Sequence, residues 1–124
     1  MSPPAAYLDT LARFADFDGR ASRSAFWGFW LVHGGIGLTL LLASAVVAEQ
    51  AALGFVAGGM VFATYAALTF FPALSLIARR LHDVGRTSFW AALLLVPVVG
   101  WALLAAWLVQ PGEPVPNAWG QPAD

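Results

Sequence analysis

The stretch of this sequence that is richest in ionisable side chains is RRLHDVGR, residues 79–86. It holds three of the six arginines, one of the two histidines and one of the seven acidic residues, between nearly uncharged neighbours. Arginine binds carboxylates and phosphates through a planar fork of N–H donors, so ion pairing or anion binding is the chemistry expected here. Adjacent residues such as His82 and Asp83 point about 100° apart on a helix. With no nucleophile beside them and no metal-ligand spacing, we expect no catalytic, metal or cofactor site.

A second arginine group, GRASRSAFW at residues 19–27, resembles GRTSFW at residues 85–90. Each has Gly-Arg, then Ser or Thr, then Phe-Trp. The glycine suits a left-handed turn, the hydroxyl residues can cap the helix that follows, and the aromatic pair suits a membrane interface. This arrangement brings Arg20 and Arg86 close to two helix N-termini, where anions such as phosphate bind.

Together these groups form one candidate site, which comprises Arg20, Arg23, Arg79, Arg80, His82, Asp83 and Arg86. Two interpretations are open. In the first, Asp83 pairs with an arginine and the cluster only joins helix ends; an acid at a helix C-terminus is disfavoured by the dipole and needs such a partner. In the second, the cluster binds an anionic lipid headgroup or a partner protein.

The composition is that of a membrane protein. The 124 residues are 60% hydrophobic and only 10% charged, whereas ordinary soluble domains carry about 25% charged residues. A net charge of −1 gives no basic field for nucleic acid, and the chain has no cysteine for a disulfide or thiolate metal site. We therefore expect a single-domain all-α integral membrane protein that binds no nucleic acid.

Three uncharged runs predict transmembrane helices at about residues 25–48, 51–78 and 88–110, since each is long enough for one crossing. All the basic residues lie on one side of these runs: Arg13, Arg20, Arg23, Arg79, Arg80 and Arg86. By the positive-inside rule, the N-terminus and the 79–87 loop are cytoplasmic and the C-terminus is outside. The first run is too long for a cleaved signal peptide, so we interpret it as an anchor.

The segments outside the spans have patterns of their own. Within residues 1–18, Tyr7, Leu8 and Leu11 recur at helical spacing, which predicts a short amphipathic helix on the cytoplasmic leaflet; the alternative is a disordered segment. Residues 19–112 are expected to form the membrane domain. Residues 113–124 are proline-rich and are expected to be irregular.

His33 lies about ten residues into the first span, near the bilayer midplane. If the first two spans form a hairpin, Thr64, Tyr65 and Thr69 lie at a similar depth. We expect a neutral His33 that is hydrogen-bonded to Tyr65 or a threonine; the alternative is an oligomeric transporter or channel subunit with His33 in its pore. The Gly54–Gly58 pair is a GxxxG motif, which suits either packing within one chain or a homo-oligomer.

Three of the segments resemble the bacterial inner-membrane family known as domain of unknown function 805, the YhaH-like membrane proteins. They are GRASRSAFWGFW, RRLHDVGRTSFWAALLLVPVVG and NAWG. The motif positions fall on Gly19, Arg20, Arg23, Phe26 and Trp27, on Arg79 to Asp83, Gly85 and Arg86, and on Pro97, Gly100, Asn117 and Gly120. Ala25 stands where relatives often carry an acid, which makes Asp83 the main counter-charge. The resemblance implies a helical inner-membrane protein but no established activity.

Overall fold

The computed structural model describes residues 1–123, and this part of the chain folds as helices joined by short loops. The α-helices are Pro3–Ala12 (α1), Arg23–Gln50 (α2), Gly54–Asp83 (α3) and Val99–Leu108 (α4), and a 3-10 helix at Ser88–Leu95 precedes α4. Within residues 1–123 there is no β-strand, only an isolated bridge between Asn117 and Gly120. The predicted all-α fold is confirmed.

Helices α2 and α3 form a long antiparallel hairpin, and both are long and apolar enough to cross a membrane. The Ser22 hydroxyl caps α2 by accepting from the Ala25 amide at 3.1 Å. Near the far end, the Ser44 hydroxyl donates to the Gly58 carbonyl at 3.1 Å. A side chain at Gly58 would collide with Ser44, so glycine permits the close approach of the two helices. These two helices are the first two predicted spans, although α3 continues through the arginine pair to Asp83.

The third predicted span, residues 88–110, differs from a single helix. Helical structure is interrupted between the 3-10 helix and α4, where Val98 has a φ of 63°. The two pieces fold back on each other: the rings of Trp90 and Trp107 lie 5.2 Å apart, and Trp101 Nε1 donates to the Leu94 carbonyl at 2.9 Å. Ten residues of α-helix are about 15 Å long, roughly half of the hydrocarbon core. The prediction of one continuous helix is corrected to a short apolar hairpin.

Pro97 and Gly100 supply the physical reason for this fold-back. Proline has no amide hydrogen with which to continue a helix. A Cβ at Gly100 would run into the Leu93 carbonyl, so only glycine lets the second piece pass so close to the first.

The C-terminal tail returns to the end of the bundle that holds residues 19–23 and 79–86, here named the arginine end. Arg80 donates to the carbonyls of Leu108 and Gln110, and the Glu113 amide donates to the Asp83 carbonyl at 2.7 Å. The described tail therefore contacts the end of α3, whereas the C-terminus and the 79–87 loop were expected on opposite sides of the membrane. Asp124 lies outside the described residues.

Helix α1 packs across α2 near the arginine end. Ser2 caps it by accepting from the Ala5 amide at 3.3 Å. A Cβ added to Gly28 would lie 3.1 Å from the Ala6 Cβ, and the ring of Tyr7 stacks on Phe29 at 5.4 Å. A helix is therefore present where an amphipathic one was predicted.

The hydrophobic core also lies at the arginine end. It comprises Ala21, Phe26, Phe29, Leu76, Ile77, Leu81, Leu104 and Leu108, from α2, its preceding loop, α3 and α4. In contrast, the most apolar stretch of α2 is not buried inside the described molecule. The folded core and the candidate site therefore share one end of the hairpin, while the other end consists of two helices alone.

Candidate functional site

Asp83 lies between two arginines in the interior of the arginine end. Its Oδ1 is 2.8 Å from Arg20 Nε, and its Oδ2 pairs with Arg80 Nη1. The three side chains, here named the buried triad, are at most 2% exposed. Buried charges are tolerated only when they are paired and their remaining donors are satisfied. The triad meets the first condition through a single shared carboxylate.

The second condition is met by backbone carbonyls, most of them from the tail. Arg20 donates to the carbonyls of Glu113 at 2.6 Å, Val115 at 2.9 Å, Asp83 at 3.3 Å and Gly120 at 3.3 Å. These bonds and the Asp83 ion pair use all five guanidinium N–H groups of Arg20. The arginine is therefore saturated by its own chain.

Arg80 is engaged in the same way. Its Nε donates to the Leu108 carbonyl at 3.1 Å, its Nη1 to the Ala21 carbonyl at 3.1 Å, and its Nη2 to the Gln110 carbonyl. Arg20 and Arg80 thus join the loop before α2, the end of α3 and the returning tail. In this fold they act as structural ion pairs.

His82 makes a second junction between the same segments. Its Nδ1 lies 2.9 Å from the Gly19 carbonyl, and its ring stacks on Trp119 with centroids 4.4 Å apart. Its own carbonyl accepts from Asn117 Nδ2 at 2.9 Å. Sequence reasoning missed these tail residues as part of the site. The available signal was an asparagine and a tryptophan within an otherwise proline-rich tail.

Arg86 and Arg23 lie outside the buried triad. The Arg86 guanidinium carbon is 3.7 Å from the centroid of the Trp107 ring, a cation–π contact that joins the loop after α3 to α4. Arg23, the first residue of α2, is exposed. It borders a cavity of about 230 Å³ between Asp83 and tail residues 111–114.

Arg79 differs from every other arginine of the cluster. It is only 2% exposed, yet its Nε and Nη2 have no hydrogen-bond partner in the described part of the chain. No acidic side chain of residues 1–123 forms an ion pair with it within 4.0 Å. Buried donors without partners are rare and costly, so this guanidinium requires an explanation.

Charged groups at the end of α1 and in the turn that follows pair with one another where this turn meets α3. Arg13 pairs with Asp16 at 2.6 Å and with Asp9 at 3.7 Å. The hydrogen bond from Arg13 holds the pKa of Asp16 below its ordinary value, and the charges of Arg13 and then Arg79 lower that pKa further. The Ser75 hydroxyl, one helical turn before Arg79, donates to the Arg13 carbonyl at 3.2 Å. The part of α3 that carries Arg79 therefore packs against this turn.

His33 lies in a chain of hydrogen bonds between three helices. Its Nδ1 is 2.9 Å from the Tyr65 hydroxyl, which is 3.1 Å from the Tyr7 hydroxyl of α1. Thr64 and Thr69 instead donate to carbonyls of their own helix. Nothing in the sequence placed Tyr7 beside this pair, because the contact depends on how α1 packs. In the described chain, no group of three His, Cys, Asp or Glu side chains could hold a metal ion.

A long two-helix hairpin, a shorter apolar hairpin and a polar cluster at one end define a small all-α integral membrane protein. The chain belongs to the family described as "Protein of unknown function (DUF805)", whose pattern matches residues 14–121. It is 35% identical to the inner membrane protein YhaH of Escherichia coli K12 over 114 residues, 92% of each chain. It is 32% identical to the inner membrane protein YhaI of the same strain over 114 residues, 92% of this chain and 91% of that one. No solved structure matches the chain.

These relatives support a bacterial inner-membrane location. They also give the geometry a family context, because the motif segments that carry the resemblance meet in space. Arg20, His82, Asp83, Asn117 and Gly120 come from three distant segments and all lie in the two junctions at the arginine end.

Proposed function

We propose that this chain is a non-enzymatic inner-membrane protein that binds the phosphate of an anionic lipid at its arginine end, through Arg79 with Arg13 beside it. The observation that carries the proposal is the buried Arg79 guanidinium, whose Nε and Nη2 lack partners among residues 1–123. Phosphate oxygens accept strong, charge-assisted hydrogen bonds from arginine. An anion at this position would supply the acceptors that the protein does not.

The other arginines support this assignment by what they already bind. Arg20 and Arg80 donate to Asp83 and to backbone carbonyls, and Arg86 covers the Trp107 ring. Of the residues in the candidate site predicted from the sequence, Arg79 is therefore the one assigned to anion binding. The buried triad has the separate task of keeping the arginine end folded around it.

Arg13 is the second basic group that a phosphate would meet. It is 39% exposed and paired with Asp16, which is 38% exposed. Pairs this exposed contribute little to stability, so a phosphate can displace the carboxylate at low cost. One phosphate would then accept hydrogen bonds from both Arg79 and Arg13, and the Asp16 side chain would face solvent.

The orientation within the membrane is part of the proposal. All six arginines of the sequence lie at or near the arginine end, whereas the opposite end has Glu49 near the end of α2 but no basic residue. The positive-inside rule then favours a cytoplasmic arginine end, which would also place α1 and the described part of the tail, residues 113–123, on the cytoplasmic side. Phosphates of anionic lipids in the cytoplasmic leaflet lie at that level.

The test is lipid retention measured by native mass spectrometry, with phosphatidylglycerol compared against zwitterionic phosphatidylethanolamine. Arg79→Gln should lower the retention of phosphatidylglycerol by about tenfold, because it removes the charge and the guanidinium donors but keeps a polar side chain. Arg23→Gln is the matched control, since it removes one exposed arginine from the same end. Equal retention by wild-type protein and Arg79→Gln would refute the proposal.

We do not extend the proposal to transport. The hydrogen bonds of His33 and Tyr65 described above join α1, α2 and α3 of one chain. This pattern supports a role for His33 in holding helices together, where such bonds contribute about 0.6 kcal/mol on average.

A further inference from the structure

An apolar groove of about 470 Å³ lies between α3 and the 3-10 helix. Its walls include Phe17, Phe70, Leu74, Ala78, Phe89 and Leu95. None of the eight residues of the 3-10 helix is fully buried, and the space between this helix and α3 remains partly open as the groove. Phe89 and Leu95, 87% and 84% exposed, project beyond the groove.

The groove has a defined direction. Helix α3 runs toward the arginine end and the 3-10 helix runs away from it, so Ala78 and Ser88 mark the end nearest the arginines. Phe70 and Leu95 mark the opposite end. From Phe70 to Ala78 the groove follows eight residues of α-helix, about 12 Å. One leaflet contributes about 15 Å of hydrocarbon, so a groove of this length matches most of an acyl chain's depth.

The end of the groove nearest the arginines is lined by the sequence neighbours of Arg79 and Asp16. Ala78 lines the groove and directly precedes Arg79, and Phe17 lines it and directly follows Asp16. The Ser75 hydroxyl, one helical turn before Arg79, donates to the Arg13 carbonyl at 3.2 Å, so this part of α3 packs on the turn that carries Phe17. A buried cation at one end of an apolar groove complements a molecule with an anionic group joined to a hydrocarbon chain.

We infer that this groove holds one acyl chain of the anionic phospholipid whose phosphate Arg79 binds. The inference rests on the proposed function and deepens it, since it makes the ligand a single phospholipid held at both its phosphate and its chain. A phosphate-bearing small molecule would use only the Arg79 part of this site. The groove therefore selects for chain length, and Arg79 selects for charge.

The experiment compares retention of dioleoyl-phosphatidylglycerol with that of dihexanoyl-phosphatidylglycerol, whose short chains cannot fill the groove. Ala92→Trp places a large side chain on the groove wall. Ala102→Trp makes the same change at an exposed position of α4 that is not part of the groove. Ala92→Trp should lower retention of the dioleoyl lipid by about tenfold and leave the dihexanoyl lipid unchanged. Ala102→Trp should change neither.

The outcomes separate the two proposals. The proposed acyl-chain site would be refuted if Ala92→Trp retained both lipids like wild type or lost both equally. It would also be refuted if Ala102→Trp showed the same loss. Retention of both lipids by Arg79→Gln would instead overturn the proposed function. Ala92→Leu fills less of the groove and should give an intermediate loss of the dioleoyl lipid, so the inference is tested even if the tryptophan variant does not fold.

Discussion

Arg20 and Asp83 are 63 positions apart in the sequence, and Arg20 Nε lies 2.8 Å from Asp83 Oδ1 in the interior of the arginine end. Because Arg80 pairs with the other oxygen of the same carboxylate, a single acid neutralises charge on two segments. The remaining donors of both arginines hold the returning tail. The pair thus joins the start of α2, the end of α3 and the C-terminal segment into one folded unit.

Replacing Asp83 by Asn should lower the free energy of unfolding by about 3–5 kcal/mol, because two buried guanidinium groups lose their shared counter-charge. Thermal or steric-trap unfolding in bicelles measures the effect. Asp18→Asn is the control, since it makes the same change at an exposed position of the same end. If the two variants unfold alike, the buried triad does not stabilise the fold.

The tail should lie on the same side of the membrane as the N-terminus. The sequence has no cysteine, so single cysteines can be placed at Ser2, Leu53 and Ala118, all of them exposed. A membrane-impermeant thiol reagent should label Ser2→Cys and Ala118→Cys from one side and Leu53→Cys from the other. Labelling of Ala118→Cys from the same side as Leu53→Cys would instead support the third membrane crossing that the sequence predicted.

Gly85→Ala should destabilise the junction between α3 and the tail. Gly85 has a φ of 78°, where an L-residue costs about 1–2 kcal/mol, and a Cβ there would meet the Glu113 carboxylate. Gly59→Ala is the matched control, because nothing lies within 4 Å of a Cβ at that helical position. The control should be neutral or more stable than wild type by up to about 1 kcal/mol in the same unfolding assay. A Gly85→Ala variant as stable as the control would contradict the contact.

Asp16→Asn should increase the retention of phosphatidylglycerol. The Asp16 carboxylate accepts a hydrogen bond from the Arg13 guanidinium. The lowered pKa of Asp16 keeps this carboxylate charged at neutral pH, where it repels an incoming phosphate. Because the folded-state pKa is depressed, the Arg13–Asp16 pair contributes its stability above the unfolded value of 3.8 and loses it only as the pH falls through the lower folded-state pKa. Unchanged or weaker retention in Asp16→Asn, relative to the exposed-site control Asp18→Asn, would contradict the competition.

The two long helices follow from the sequence because uncharged runs of this length leave few alternatives in a chain so poor in charge. The third run was predicted as a span for the same reason, and wrongly as one helix. Length and apolarity do not distinguish a crossing from a hairpin of equal length. The hairpin is favoured over a crossing by a contact between segments far apart in the sequence: Arg80 donates to the carbonyls of Leu108 and Gln110.

The candidate site was likewise predictable from the sequence only in part. Asp83 needed an arginine partner on dipole grounds, and the structure supplies two. Arg79 and Arg80 are identical neighbours in the sequence, so no local pattern distinguishes them. A rotation of about 100° along the helix directs one into the buried triad and the other toward α1. Only the packed structure shows which of the two has unpaired donors.

Contact between Arg79 and a lipid phosphate can be measured directly by solid-state NMR. In bilayers that contain phosphatidylglycerol, with all six arginines labelled at the guanidinium carbon, ³¹P dephasing reports which guanidinium lies against a phosphate. We expect the dephased signals of wild-type protein and of Arg23→Gln to include one that is absent in Arg79→Gln. The same dephased signals in Arg79→Gln as in the wild type, or no dephased signal in the wild type, would contradict phosphate binding by Arg79.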